Sequence, residues 1–383
     1  MNRQPGLGWS SGAALFAAVA LTAAGLIITS SAQRPGTLGS APWYDLPITK
    51  QGAAAAFGLI LLMGLSGTTY DRLLASSGVV MLACLVALAL VWVPGIEAPT
   101  GGVHRRLGYG PLTVQPSEFA KIGMVLYLAM YCTQKGRPIR DLRLGLGVPF
   151  ILIAVVFVAV EREPDLGTAL VLLLTSLSTL YVAGARARHL IGFAICAAAV
   201  VAGAVLLGHW FGVSYRAGRI AAWWEPERYA TSIGYQIVHS LISVSLGGWL
   251  GAGYGRGEGR FYLPASNTDY AMATVAEEFG LLGVVIVIVA LGLIVAHAYR
   301  VVVHSADPFA KVVASGLGSI ILWQALLNIA VVTNAIPCTG VPMPFISYGT
   351  SSLVAMLASV GILTRPAVRS FALSENARRE ASR

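Results

Sequence analysis

The sequence predicts an all-α, polytopic integral membrane protein, and three observations predict it. Of its 383 residues 56% are hydrophobic and only 11% charged, less than half of the roughly one quarter usual in soluble domains. Apolar runs recur at lengths approaching the roughly 17–25 residues that a helix needs to cross a bilayer. The runs are also continuous, unlike the short alternating segments of a membrane β-barrel.

Ten spans are expected, near 12–30, 51–67, 73–93, 118–134, 144–161, 166–184, 189–211, 272–303, 309–334 and 348–367. Arg3 followed by the apolar run from Gly12 to Thr29 has the outline of a signal peptide. Its length and the spans that follow predict a retained first helix instead. With the N-terminus cytoplasmic, inside segments hold fifteen Lys and Arg (among them Arg72, Lys135, Arg137, Arg140 and Arg143). The short outside loops then hold five: Arg34, Lys50, Arg105, Arg106 and Arg162. This bias places both termini in the cytoplasm. Residues 1–370 read as one transmembrane domain, with a large extracytoplasmic loop at 212–271 and a short cytoplasmic tail at 371–383. The loop is rich in aromatic residues and glycine, which argues against disorder and for packing on the membrane face.

The net charge of +9 fits topology and anionic lipid headgroups. Nucleic acid is not an expected partner, since no basic patch is interleaved with aromatics. Cys84, Cys132, Cys196 and Cys338 have neither metal nor redox spacing and read as small core residues. No P-loop, H-E-x-x-H or nucleophile elbow occurs, and none of the six histidines falls in a close metal-binding pair.

Five stretches carry polar chemistry. In Gln115-Pro116-Ser117-Glu118-Phe119-Ala120-Lys121, Pro116 suits the first helical turn, and Gln115 or Ser117 suits a cap. Glu118 and Lys121 share a face at i, i+3; they form either an anchoring ion pair or the polar wall of an external cavity. In Arg162-Glu163-Pro164-Asp165-Leu166-Gly167-Thr168, Asp165 is either an N-cap or part of a site for a charged ligand, which Arg162 would grip in bidentate fashion. Glycines alternate from Gly251 to Gly259 without a dinucleotide fingerprint, and read as a flexible loop whose backbone approaches membrane or ligand closely. Prolines at 337, 342 and 344 forbid a helix through 334–349. Non-helical backbone at membrane depth survives where it is buried or lines a wet cavity, and Ser347, Tyr348, Thr350, Ser351 and Ser352 would offer hydroxyls there.

The fifth stretch, Leu263 to Gly280, sets Asp269 just before the eighth span and Glu277 and Glu278 within its first turns. Carboxylates at a membrane boundary are costly unless paired, hydrated or used. Asp269 and Thr268 are each able to cap the helix. Glu277, eight residues beyond Asp269, falls within a quadrant of the same face, which is more than a cap needs.

Together these motifs resemble the SEDS family (shape, elongation, division and sporulation), the RodA/FtsW group, across nearly the whole chain. The pieces that carry the resemblance are Gln115–Lys121, Pro164–Ala169, Leu263-Pro264 with Thr268-Asp269-Tyr270, Glu277–Gly280, and Thr339–Pro342 with Pro344–Gly349. This chain departs from the family pattern at Arg106, Glu163, Asn267 and Thr350. The resemblance implies a peptidoglycan glycosyltransferase that polymerises lipid II, the polyprenyl-pyrophosphate-linked disaccharide-peptide, on the outer face of the bacterial cytoplasmic membrane, for elongation or division. It implies a class B penicillin-binding protein as partner and maps the family's essential aspartate onto Asp269, read here as the general base. Glu118, Lys121, Arg162, Asp165, Ser347, Tyr348 and Ser351 are then expected at the substrate, with Gln115, Ser117, Thr268, Glu277 and Glu278 in support. Pyrophosphate departs well, so one carboxylate suffices, unlike the pair used by a glycoside hydrolase. A divalent cation is the one cofactor that this chemistry leaves open. Two alternatives stand beside it: a flippase for the same lipid, for which Gln324 and Asn328 would line a path, and a non-catalytic activator of the transpeptidase.

Overall fold

The computed structural model of the chain describes residues 5–32, 42–95, 105–109, 112–134, 138–210 and 215–364. Arg3, Arg34, Lys135, Arg137, the arginines after Leu363 and the tail at 371–383 lie outside the described residues.

Among the described residues, ten long helices occupy the expected spans. They open with α1 (Pro5–Ser31), α2 (Pro47–Ser66) and α3 (Tyr70–Leu90). A hairpin follows, β1 (Leu107–Tyr109) paired antiparallel with β2 (Leu112–Val114), Leu107 opposite Val114. Next come α4 (Pro116–Thr133), α5 (Gly147–Arg162), α6 (Leu166–Val182) and α7 (Ala187–Trp210). The large loop is itself helical, as α8 (Tyr215–Trp224), α9 (Tyr235–Gly247) and α10 (Gly259–Tyr262). The chain closes with α11 (Ala271–His304), α12 (Pro308–Val332) and α13 (Thr350–Thr364). Proline opens α2, α4 and α12, where its missing N–H would have been an orphan. Residues 8–31 of α1, and all of α2, α3, α11 and α12, are long and apolar enough to cross a membrane.

At the centre lies α4, which is buried on opposite faces. Ile122, Val125, Leu126 and Ala129 join a core shared with α11, α12 and α13, while Ala120, Met124, Leu128 and Tyr131 join one shared with α3, α5 and α6. A helix apolar all round belongs inside a bundle. Around it, α13 packs on α2, α11 lies between α1 and α12, and α6 touches α4, α5 and α12. The loop helix α9 leans on α11.

α11 is not one continuous helix. Gly280 stands at φ 64°, ψ −165°, a conformation in effect reserved for glycine, and an added Cβ would lie 2.5 Å from the backbone of Trp249 and Gly251. The groups freed by the break are paired by the glycine loop. Ala252 N–H donates to Glu277 O (2.9 Å) and Gly253 N–H to Glu278 O (2.9 Å). In return, Leu281 N–H donates to Gly248 O (2.9 Å) and Leu282 N–H to Trp249 O (3.2 Å). Gly251, at φ 79°, makes the approach possible. The close approach that these glycines permit is thus made to the backbone of α11, not to the membrane or ligand expected from the sequence.

Candidate active site

Several helix N-termini converge at one end of the bundle: those of α4, α6 and α13, beside the start of α11. Between them opens a cavity of about 210 Å³. Asp269, Asp165, Glu118, Arg105, Arg106 and Tyr348 are among its lining side chains. Aligned helix dipoles make such a convergence favourable for anions.

Asp269 is held by its backbone, leaving its carboxylate for the cavity. Three successive carbonyls are fixed: Asn267 O accepts from Tyr348 N–H (2.6 Å), Thr268 O from the Ser347 hydroxyl (2.5 Å), and Asp269 O from Asn328 Nδ2 (2.8 Å). The helix cap falls to Tyr270, and no side chain caps there, so neither Asp269 nor Thr268 is spent on capping. Burial raises the Asp269 pKa above the usual carboxylate range. The charge of Asp165 adds to this, and Arg219 and Arg105 oppose it.

Asp165 caps α6, accepting from Thr168 N–H (3.0 Å), as the sequence allows, and it also faces the cavity. Its other oxygen accepts from Gln115 Nε2 (3.0 Å), which also donates to Ser117 Oγ (3.1 Å). Gln115 N–H donates to Ser351 Oγ (2.9 Å), tying the start of α4 to the start of α13. Burial raises the pKa of Asp165 as well, against Arg105 and the Thr168 hydrogen bonds.

Glu118 and Lys121 do pair, at 3.0 Å, and are 2% and 1% exposed. Lys121 Nζ also donates to Gln324 Oε1 (2.8 Å). Glu118 reaches the cavity, whereas Lys121 is sealed behind it. Ser347 is likewise buried in its loop contacts. Arg162 is exposed and does not line the cavity. The cavity cations are Arg105 and Arg106. Arg105 donates from Nε to Glu163 O (2.7 Å) and from Nη2 to Pro164 O. Glu277 and Glu278 face away from the cavity: Glu277 accepts from the N–H groups of Glu258 (2.7 Å) and Gly259 (2.9 Å), and Glu278 accepts from the Ser31 hydroxyl. They fix the loop that leads into Asp269.

Two residues hold the site in a way that sequence reasoning missed. Gln51 donates to Ser347 O (3.1 Å) and accepts from Gly349 N–H (3.2 Å). Asn328 donates to Val341 O (2.7 Å) as well as to Asp269 O. Both are fully buried, and a buried amide inside an apolar span was the signal available.

Glu163 gives a pH prediction. It is fully buried, and neither carboxylate oxygen has a hydrogen-bond partner among the described residues. Burial, and then Asp165, push its pKa from 4.5 up to about 8, with Arg105 opposing. Between those values the folded chain holds a proton here that the unfolded chain has lost, so stability falls as pH rises. In detergent, the wild-type melting temperature drops by several degrees between pH 5 and about 8, the raised pKa. Glu163→Gln keeps the shape without the titration and flattens that slope.

Comparison with known proteins gives a consistent set of likenesses. A family model for the FtsW, RodA and SpoVE proteins, described as "Cell cycle protein", matches residues 13–370. The chain is 31% identical over 358 residues to the probable peptidoglycan glycosyltransferase FtsW of Geobacter metallireducens, covering 93% of this chain and 94% of that one. It is 32% identical over 347 residues to stage V sporulation protein E of Bacillus subtilis, covering 88% and 92%. Among solved structures, one described as "Structural coordination of polymerization and crosslinking by a peptidoglycan synthase complex" contains a chain that superposes with a TM-score of 0.72 at 28% identity, covering 93% and 96%. The rod shape determining protein RodA of Thermus thermophilus superposes with a TM-score of 0.65 at 26% identity, covering 92% and 94%.

Proposed function

The chain belongs to the FtsW/RodA/SpoVE family, and from that premise we propose that it is a multi-pass membrane peptidoglycan glycosyltransferase that polymerises lipid II, with Asp269 as its general base. A single observation carries the reading. One carboxylate stands with its backbone pinned on three successive carbonyls, in a cavity lined by two arginines and several helix N-termini.

The chemistry follows from that arrangement. Asp269 takes the proton of a sugar hydroxyl on the acceptor. The hydroxyl oxygen bonds to the anomeric carbon of the donor as the bond from that carbon to the pyrophosphate oxygen breaks. The electron pair leaves with the polyprenyl pyrophosphate, whose developing charge meets Arg105, Arg106 and the helix dipoles. A raised pKa brings the carboxylate nearer the operating pH, where a general base works best. A divalent cation at the pyrophosphate would reinforce this stabilisation. The reaction takes place on the outer face of the cytoplasmic membrane, with both termini inside, and a class B penicillin-binding protein crosslinks the product. The resemblance to a chain of a peptidoglycan synthase complex supports a partner of that kind.

The flippase alternative loses its main candidates. Gln324 donates to Pro342 O (3.0 Å) and Ser352 Oγ (3.3 Å), and Asn328 to Asp269 O and Val341 O. Both are occupied in holding the site loop. Purified protein in vesicles, given lipid II from one side only, distinguishes the readings. Glycan polymer is expected on the side of substrate addition. Lipid crossing without polymer would overturn the enzyme in favour of the flippase, and neither product would leave the activator.

A further inference from the structure

One buried acid near the site has no part in the proposed mechanism. Glu163 N–H donates to Val160 O (3.1 Å), closing α5, and the residue is fully buried. The three carboxylates that line the cavity are each accounted for. Glu118 pairs with Lys121, Asp165 accepts from Thr168 N–H and Gln115 Nε2, and Asp269 is the proposed base. Glu163 differs: neither of its carboxyl oxygens has a hydrogen-bond partner among the described residues. A buried polar group normally finds a partner, and a buried charge without one is costly. Glu163 is also one of the positions at which the chain departs from the family pattern.

The cation beside it is Arg105. Its guanidinium is fastened to the main chain of the same residue, from Nε to Glu163 O (2.7 Å) and from Nη2 to Pro164 O. Both acceptors are neutral, and Arg105 makes no ion pair among the described residues. Its charge is therefore unspent in the cavity that it lines. A carboxylic acid at Glu163 leaves it so; a carboxylate competes for it.

Resting on the glycosyltransferase reading, we propose that Glu163 is a positioning residue that meters the charge of Arg105: as the neutral acid it leaves the guanidinium to the pyrophosphate, and as the carboxylate it draws the guanidinium to itself. Burial, and then Asp165, push the carboxyl up to about 8, so it is mostly protonated at neutral pH and ionises just above it. Once ionised, it is a buried charge whose compensation comes from the guanidinium bound at its own backbone. The charged groups acting on it are Asp165, at the start of α6, and Arg105, before β1. Glu118, Asp269 and Arg106 line the cavity beyond, and Glu161 and Arg162 precede it on α5.

The test uses the full-length protein in detergent and a sugar-free polyprenyl pyrophosphate. Its Kd is measured at about pH 7 and about pH 9, on either side of the Glu163 value. The wild-type Kd is expected to rise about tenfold, the worth of one hydrogen bond to a charged group. Ionisation of the ligand runs the other way, because a pyrophosphate only gains negative charge as pH rises and so binds arginine more tightly. Glu163→Gln keeps Asp165, Asp269 and both arginines but has no proton to lose, and its Kd is expected to stay level or fall. A merely structural role for Glu163 would change the melting temperature and the folded fraction, neither of which alters the Kd of the folded protein. A wild-type Kd that does not rise, or a rise of the same size in Glu163→Gln, overturns the proposal. Should Glu163→Gln fail to fold, Glu163→Leu replaces it, and a level wild-type Kd overturns the proposal without either variant. Wild-type protein that binds the pyrophosphate but makes no polymer from lipid II overturns the glycosyltransferase reading instead, so the two failures are told apart.

Discussion

Asp269→Asn is expected to abolish glycan polymerisation while leaving the protein folded. The substitution keeps the shape and removes the proton acceptor. General-base catalysis contributes about 10²–10⁴-fold, so the rate falls by at least that factor. Folding is protected because the residue is anchored through its backbone: the hydrogen bonds from Tyr348, Ser347 and Asn328 end on main-chain carbonyls of residues 267–269. The measurement is polymer length and yield from purified lipid II, beside a melting curve of the same preparation. Normal polymer from a well-folded variant would end the general-base assignment.

The second large effect is on stability. Glu118→Gln leaves the ammonium of Lys121, 1% exposed, without its counter-charge, and Lys121→Met does the same to the carboxylate. Breaking a buried pair by removing one partner costs about 3–5 kcal/mol, whereas neutralising both is often tolerated. Each single variant should therefore lower the melting temperature sharply, and Glu118→Gln with Lys121→Met should recover much of the loss. The hydrogen bond from Lys121 to Gln324 ties the pair to α12, so the single variants should also loosen the site loop that Gln324 holds through Pro342. A double variant no better than the worse single one would show that packing rather than charge governs this position.

The spans were legible because each is a local pattern: an apolar run of sufficient length, often opened by proline. So were the cap at Asp165, the pairing of Glu118 with Lys121, and the non-helical proline segment before α13. The site was only partly legible, because its cohesion lies in contacts between residues far apart in sequence. Gln51 meets Ser347, and Gln115 meets Ser351, at 296 and 236 positions' separation, and no periodicity in either neighbourhood announces the other. Arg162, expected in a short loop, instead ends α5 and stays outside the cavity, whose arginines are Arg105 and Arg106, just before the hairpin. Helices in the 212–271 loop escaped for a related reason. They pack on the bundle through α9 and α11, so their stability is tertiary rather than a matter of local propensity.

The break at Gly280 separates two mechanical duties within one helix. The stretch from Leu281 to His304, the part of α11 beyond the break, answers to the bilayer, whose thickness sets how far it must lean. Ala271 to Phe279 answers to Asp269 and the glycine loop. Because residues 248–253 pair with both sides of the gap, they act as a splint that sets the angle between the two parts.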